Sequence, residues 1–446
     1  MMNCNKSAIS VFEEFAEEYL NFEKTPKKNI FWLDTMEFLC SRFGNPQNCI
    51  PSFHVAGSKG KGSVATMIAS ILEEGGYKTG LYSSPHIIDF IERIGTCKGP
   101  FEESIYEVSV RQLINRVDSI SLHELPSERP VTWFELVTLL AMLSFKNAGC
   151  DYSVYEVGLG GRLDATNVIN PLCCCINQIE KEHTEFLGDT VEKIAAEKAG
   201  IIKEGVPVLV APQIESVREV FRRKAGEKKS RIFFVDEVST TSDIIYKNKR
   251  MSFSISSNYF KRPLSVELSL LGDFQALNAC MAALAVKTAI PGFEEELIER
   301  GLSKASLPGR FEICGNIVFD GAHTQKSICY TMETFGKIFN KKNAHLLFGC
   351  ASDKDVEDMA LLFREKFSHI TITKPGSVKE CNIERIKNAF NAAGLEYFSC
   401  SDFLKAIPLA LKKAEEENSI LLVTGSFYLV SEVKKYLMCN PDVGKF

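Results

Sequence analysis

The run Phe53-His-Val-Ala-Gly-Ser-Lys-Gly-Lys-Gly-Ser63 constrains this chain more than any other stretch. An apolar, strand-like segment stops at Gly57, further glycines stand at 60 and 62, and a helical pattern runs from Val64 to Glu74. Strand, glycine turn and helix N-terminus in that order form a cradle for an anion. Backbone N–H groups converge, and the helix dipole favours negative charge. Lys61 adds a full positive charge. Ser63 brings a hydroxyl suited to the Mg²⁺ that accompanies a nucleoside triphosphate. A glycine-rich turn with no phosphate chemistry is the competing reading, and the joint presence of Lys61 and Ser63 at the loop's exit favours nucleotide. The spacing departs from the common G-x-x-x-x-G-K-[ST] form, because Gly62 separates the lysine from the serine.

A strand feeding a buried helix is the opening half of a parallel α/β unit, and the rest of the chain continues the alternation. Lys78–Ser83, Tyr152–Val157, Leu172–Ile179 and Val206–Val210 read as strands. Trp133–Asn147 and Val191–Gly200 read as helices. Arg231–Leu271 differs, with β-branched and aromatic residues and turn signals that predict an antiparallel patch beside the main sheet. After Leu307-Pro-Gly-Arg310 a second α/β pattern begins. Its strands are Ile317–Phe319, His345–Phe348, Ile370–Thr373 and Ile420–Val423, separated by four helical segments. The expectation is a doubly wound, mainly parallel sheet with helices on both faces, followed by a smaller Rossmann-like α/β domain. The boundary is expected near residues 302–308, dividing the chain into 1–302 and 303–446. A length of 446 residues suits two domains.

Composition narrows the function class. A net charge of −5 argues against a nucleic-acid surface as the main partner. The longest apolar run, near Val137–Phe145, is too short to span a membrane, and the start Met-Met-Asn-Cys-Asn-Lys lacks signal-peptide order. A cytoplasmic protein is expected. Fifteen cysteines are scattered without a C-x-x-C pair. Cys173, Cys174 and Cys175 are consecutive in a strand, where neighbours face opposite ways. They read as buried reduced thiols and not as a metal site.

Three further constellations carry chemistry. Glu156-Val-Gly-Leu-Gly-Gly-Arg-Leu-Asp-Ala-Thr-Asn167 starts at the carboxyl end of a strand, where open α/β sheets place ligands. Glu156 suits Mg²⁺, while Arg162 and Asp164 suit polar groups of a substrate. The alternative is a tight turn with a surface ion pair. Glu180-Lys-Glu-His183-Thr is followed by Lys198, and both residues can be structural, the histidine after a strand and the lysine as a helix C-terminal charge. Phe319-Asp-Gly-Ala-His-Thr324, with Arg310 and Asn278, could close on a nucleotide from across an interdomain cleft.

Together with Ser83-Ser-Pro-His86, Glu92-Arg-Ile94, Thr132-Trp-Phe-Glu135, Glu197–Lys203 and Thr424-Gly-Ser-Phe427, these motifs resemble the Mur ligase superfamily. They resemble more closely its folate branch, the folylpolyglutamate and dihydrofolate synthases. The resemblance spans most of the chain. It implies an ATP-dependent amide ligase that joins L-glutamate to dihydropteroate or to a folate through an acyl phosphate. It implies ATP contacts at Ser58, Lys59, Gly60, Lys61, Gly62, Ser63, Asn278, Arg310 and Asp320, and Mg²⁺ held by Ser84, Glu156 and His183. It further implies a carbamylated Lys198, and a pterin pocket from Thr132, Trp133, Phe134 and Glu135 with Leu163, Asp164 and Ala165. Lys61, His183 and Lys198 are the implied catalytic residues, and the family is usually monomeric.

The chain departs from the family pattern in three places. Ser58-Lys59 replaces Thr-Asn, Glu180-Lys-Glu-His replaces Leu-Asp-His, and Thr324-Gln325 replaces Asn-Pro. A peptidoglycan-type ligase acting on a UDP-linked substrate is the nearest rival. The folate-type motifs and the lack of a UDP-binding domain before residue 53 stand against it. A nucleotide-binding scaffold on a decayed ligase fold would need neither His183 nor Lys198.

Overall fold

The computed structural model describes residues 6–23, 32–339 and 344–441; the N-terminal start discussed above lies largely outside them. Three sheets organise the described residues. In the first, strands run β1 (Ser52–Ala56), β2 (Thr79–Tyr82), β3 (Ile94–Gly95), β4 (Tyr152–Glu156), β5 (Cys173–Ile176), β6 (Val208–Val210) and β7 (Ile232–Phe234). Their spatial order is β3-β2-β4-β1-β5-β6-β7, and only the β2–β3 pair is antiparallel. The chain leaves β1 toward one side and returns across it to β5, so β1 sits at the topological switch point. Val55 lies level with Glu156 on β4 and with Cys175 on β5. The three strands therefore release their loops side by side, which is where such sheets bind ligands.

The helix Lys61–Glu74 is buried without interruption from Gly62 to Leu72, because it lies between this sheet and two more helices, Asp273–Ala289 and Glu295–Lys304. A helix covered on all sides carries apolar residues all round, and Val-Ala-Thr-Met-Ile-Ala-Ser-Ile-Leu does. The close approach has a cause at Gly301, where a Cβ would stand 2.4 Å from the Ile71 Cα. The helix Trp133–Asn147 has the expected bounds and packs on the opposite face. Cys173, Cys174 and Cys175 are buried free thiols, and burial pushes Cys174 up to about 12, so it is inert at neutral pH.

The segment Arg231–Leu271 is antiparallel only from residue 239 onward. Strands β8 (Ser239–Lys247), β9 (Arg250–Ser257) and β10 (Leu264–Leu268) form a meander in which Met251, Phe253 and Ile255 point inward and alternate with polar residues. Ile232–Phe234 instead extends the main sheet in parallel. A parallel partner needs a crossover, and the helix Glu215–Glu227 before it supplies one, a cue the strand composition does not carry.

The last sheet contains β11 (Glu312–Cys314), β12 (Ile317–Phe319), β13 (Ala344–Phe348), β14 (His369–Ile372), β15 (Phe398–Ser399) and β16 (Ile420–Thr424). Its order is β11-β12-β16-β13-β14-β15, with the four expected strands parallel and β11 an antiparallel edge. Among the described residues no helix is long and apolar enough to cross a membrane.

Candidate active site

The carboxyl ends of β1, β4 and β5 in the first sheet, and of β12, β13 and β16 in the last, open on one continuous cavity of about 1750 Å³. Its floor is the glycine loop. Gly57 has φ of +140°, and a Cβ there would meet Asn177 Cβ at 2.5 Å. Gly60 has φ of +78°, and a Cβ would meet Asn177 Nδ2 at 2.3 Å. Only glycine fits both the backbone and the space. Ser58 fastens the loop to the segment after β5. Its N–H donates to Gln178 O at 2.9 Å, its hydroxyl to Glu180 O at 3.2 Å, and it accepts from Glu180 N at 3.0 Å. Asn177 donates to Asn278, which donates to Gln275, so the far wall is one hydrogen-bonded chain. The helix then starts at Lys61, at the edge of the cavity, and among the described residues no side chain caps its N-terminus.

Charge is concentrated here. The Lys61 ammonium donates to Gly57 O at 3.0 Å, and Lys198 donates to the same oxygen at 2.9 Å and to Glu182 Oε1 at 3.0 Å. Burial brings the Lys198 amine down to about 8, against the pull of Glu182. Burial would raise Glu182, yet Lys198, Lys61 and Lys59 together hold it at about 2. Glu156 is buried, and desolvation raises its pKa against the field of Lys61. One of its oxygens accepts the Ser84 N–H at 3.1 Å. A Cβ on Gly62 would touch that carboxylate at 3.4 Å, so the glycine between Lys61 and Ser63 lets helix and carboxylate meet. His183, at the mouth of the cavity, has its pKa lowered by desolvation despite Glu182, which leaves the imidazole neutral with a free lone pair.

One wall is aromatic. Trp133 packs edge-on against Phe90 with ring centroids 6.0 Å apart, and the Arg93 guanidinium lies 5.0 Å from the Trp133 ring. Arg93 is fully buried and grips Glu23 through two bonds of 3.0 and 2.8 Å and His86 through a third of 2.8 Å. Phe134 lies against Gly158, where a Cβ would come within 2.4 Å of the ring. Opposite, Arg310 stacks on Phe427 at 4.4 Å from its centroid.

Of the residues implied to hold nucleotide, metal or pterin or to act in catalysis, all line this cavity except Gly62 and Lys198. Several spend their polar groups internally. Asp164 accepts from Leu159 N and from the N–H and hydroxyl of Thr166, so it shapes the 158–166 loop. Asp320 accepts from Phe311 N, Ala322 N and the Thr331 hydroxyl. Thr132 and Glu135 form the capping box of the helix they begin, with the Thr132 N–H and hydroxyl each 2.7 Å from Glu135 Oε2. Arg162, which lines the cavity, pairs with Glu197 at 3.0 Å. Ser84 presents its N–H to Glu156, and no three His, Cys, Asp or Glu side chains gather as a ready metal cage among the described residues.

Arg93, Asn177 and Phe427 complete the walls without having been given a role from sequence. Arg93 and Phe427 stand inside quoted motifs, and Asn177 is the first polar residue after β5's apolar run. What singled them out is tertiary, namely the partners they meet.

Comparison with known proteins adds to this geometry. The profile of the Mur ligase middle domain matches residues 55–286, and that of the Mur ligase glutamate ligase domain matches residues 309–427. The chain is 31% identical over 415 residues to a dihydrofolate synthase/folylpolyglutamate synthase of Bacillus subtilis, covering 91% of this chain and 94% of that one. It superposes on a folylpolyglutamate synthase of Thermotoga maritima with a TM-score of 0.81 at 28% identity, covering 97% of both chains. It superposes equally, at 26% identity and 0.81, on a folylpolyglutamate synthase complexed with AMPPCP and folate, covering 97% of this chain and all of the other, 100%. With a middle-domain match over more than half its length and a relative matched nearly end to end, this chain belongs to the dihydrofolate synthase/folylpolyglutamate synthase branch of the Mur ligases.

Proposed function

We propose that the cavity holds ATP on the glycine loop and a pterin-bearing carboxylate against Trp133 and Phe134, and that it joins L-glutamate to that carboxylate through an acyl phosphate. The chain is an ATP-dependent glutamate ligase of folate metabolism, acting on small molecules. The observation that carries the residue-level reading is the continuity of one cavity from Lys61 and Glu156 to the aromatic wall. An anhydride formed at the loop is then within the same enclosed space as its acceptor.

In this reading Lys61 and the N–H groups at the start of the helix neutralise charge on the transferring phosphoryl group. Trp133 and Phe134 offer flat faces to the ring and orient the carboxylate. Asn278 from the first unit, and Asp320 with Arg310 from the second, frame the nucleotide, which makes residues 1–302 and 303–446 separate domains meeting at the reaction site. Glutamate's amine then attacks the acyl carbonyl and phosphate leaves. The oxygen-rich set of Glu156, Ser63 and Ser84 fits Mg²⁺, since among the described residues Glu156 accepts one protein hydrogen bond there, from Ser84 N–H. His183 is neutral and able to join that set. Bound Mg²⁺ would supply further neutralisation of phosphate charge. Lys198 fits a carbamate in one respect, a desolvated amine near 8 that is open to CO₂ when neutral. Lys198→Ala should be partly rescued by acetate or formate if the carbamate is the working group, and failure across a concentration series would remove that role. The enzyme is read as a cytoplasmic monomer, which size-exclusion chromatography with light scattering tests.

Phosphate release with ATP, Mg²⁺ and L-glutamate tests the whole reading. Turnover is expected with dihydropteroate or tetrahydrofolate and not with UDP-acetylmuramoyl substrates.

A further inference from the structure

His86 stands in the cavity wall between the Glu156 end of the site and the aromatic end. It comes two residues after Ser84, whose N–H meets Glu156. On the other side its ring lies 6.2 Å from Phe90, which packs on Trp133. The turn that carries it is fixed at both flanks. Ser83 N donates to Arg93 O at 3.1 Å, and the N–H groups of Ile87, Ile88 and Asp89 all donate to the Glu92 carboxylate, at 2.7, 2.9 and 3.0 Å.

The half-buried imidazole is itself held by Arg93, whose Nε–H donates to Nδ1 at 2.8 Å. A guanidinium has donors and no acceptor, so Nδ1 is the lone-pair nitrogen of the ring and the proton sits on Nε2. Arg93 is locked in turn. Glu23 takes its other two nitrogens at 3.0 and 2.8 Å, and its guanidinium carbon lies 5.0 Å from the Trp133 ring. With Nδ1 turned to this buried cation, the Nε2–H lies on the ring edge away from it, and His86 lines the cavity. Among the described residues Nε2 meets no hydrogen-bond partner. The wall thus offers one directed N–H donor on the path from Trp133 to Glu156.

The chemistry of the acceptor acid decides what that donor can meet. An acid with its pterin on Trp133 and its reacting carboxylate by Glu156 passes His86 with the atoms in between. In dihydropteroate these are a methylene, an arylamine and a benzene ring, which offer no oxygen. In a folate the stretch also holds the amide carbonyl and the α-carboxylate of a glutamate already attached. A directed donor favours the ligand that brings an acceptor to it and is left to water by the other.

We propose that His86 is a specificity-determining residue that donates its Nε2–H to an oxygen of the glutamyl unit of a folate, and that Arg93 is the positioning residue that keeps it in that tautomer. The role rests on the ligase reading above and deepens it, since it names the glutamylated acid as the acceptor this wall selects.

The test is calorimetric binding of folate and of pteroate, the same acid without the glutamyl unit, to the wild type, H86N and H86Q. Asparagine reaches only as far as Nδ1, so it keeps an acceptor for Arg93 and loses the donor into the cavity. Glutamine reaches as far as Nε2 and restores an N–H there. A hydrogen bond to a carbonyl or carboxylate corresponds to about tenfold in affinity. H86N should lose about tenfold for folate and under about twofold for pteroate, with H86Q recovering most of the loss. Steady-state turnover of H86N should show a raised tetrahydrofolate KM. In ¹⁵N-histidine spectra, the wild-type signals that H86N removes should be those of an unprotonated Nδ1 and a protonated Nε2. Equal losses for the two ligands would overturn the proposal, as would the opposite tautomer. So would intact folate binding by H86N with a loss in H86Q, the pattern of a residue that only props Arg93. If H86N fails to melt cooperatively, H86S replaces it under the same criteria. Failure of the ligase reading itself looks different, because the wild type would then bind neither folate nor pteroate.

Discussion

At the scale of single residues, one carbonyl organises the site. Gly57 O takes both Lys61 and Lys198, at 3.0 and 2.9 Å, and Glu182 offsets the resulting crowd of positive charge. Removing Lys61 as Lys61→Ala should lower kcat by about 10³-fold, the scale of losing a preorganised charge on the reacting group. The melting temperature should hardly change, because the side chain is not packed in the core; substantial residual turnover would count against the cradle. Glu182 makes a pH prediction with a definite sign. Its folded pKa, about 2, lies below the usual carboxylate value, so its contribution to stability is present above about pH 5 and is lost as pH falls toward about 2. Wild type should be more stable than Glu182→Gln at pH 7, and that gap should shrink in urea titrations at about pH 3. A gap that stays constant across pH would refute the assignment.

Elements hold these residues in place through contacts that only part of the sequence announces. The glycine loop was legible because its meaning is local, with strand, turn and helix following one another between residues 52 and 74. The helix at 133–147 was legible from its periodicity and its Thr132/Glu135 cap. The parallel placement of β7 was not, since Ile-Phe-Phe reads equally as an edge of the neighbouring meander and only the crossover decides. Nor could sequence tell that Asp164 and Asp320 turn their carboxylates onto their own loops, because the N–H groups that claim them are set by folded turns. Glycines packed against a neighbouring backbone are similarly silent. Gly301→Val should cost about 1–3 kcal/mol by forcing a branched side chain into the Ile71 backbone, read as a lower urea midpoint at unchanged m-value. Thr132→Ala should cost about 1 kcal/mol through the lost cap, and should also loosen the aromatic wall, raising the pterin KM. A KM unchanged alongside the stability loss would limit Thr132 to its capping role.

For the whole molecule, two parallel sheets present their strand ends to a single space, so binding at that space is linked to the stability of both. Nucleotide at a hundredfold excess over its Kd should add about 2.7 kcal/mol to stability, giving a melting temperature that climbs with ATP concentration. The Lys61→Ala variant should show little of this climb. The two family profiles divide the chain in the same region, one ending at residue 286 and the other beginning at 309. The proposed ligase reaction takes place in that single cavity. Its most direct test is phosphate release by the purified wild type with ATP and Mg²⁺, with glutamate and dihydropteroate or tetrahydrofolate each added or withheld. Release that requires both glutamate and one of the pterins is the expected result, and release that ignores them, or none with either pterin, would contradict it.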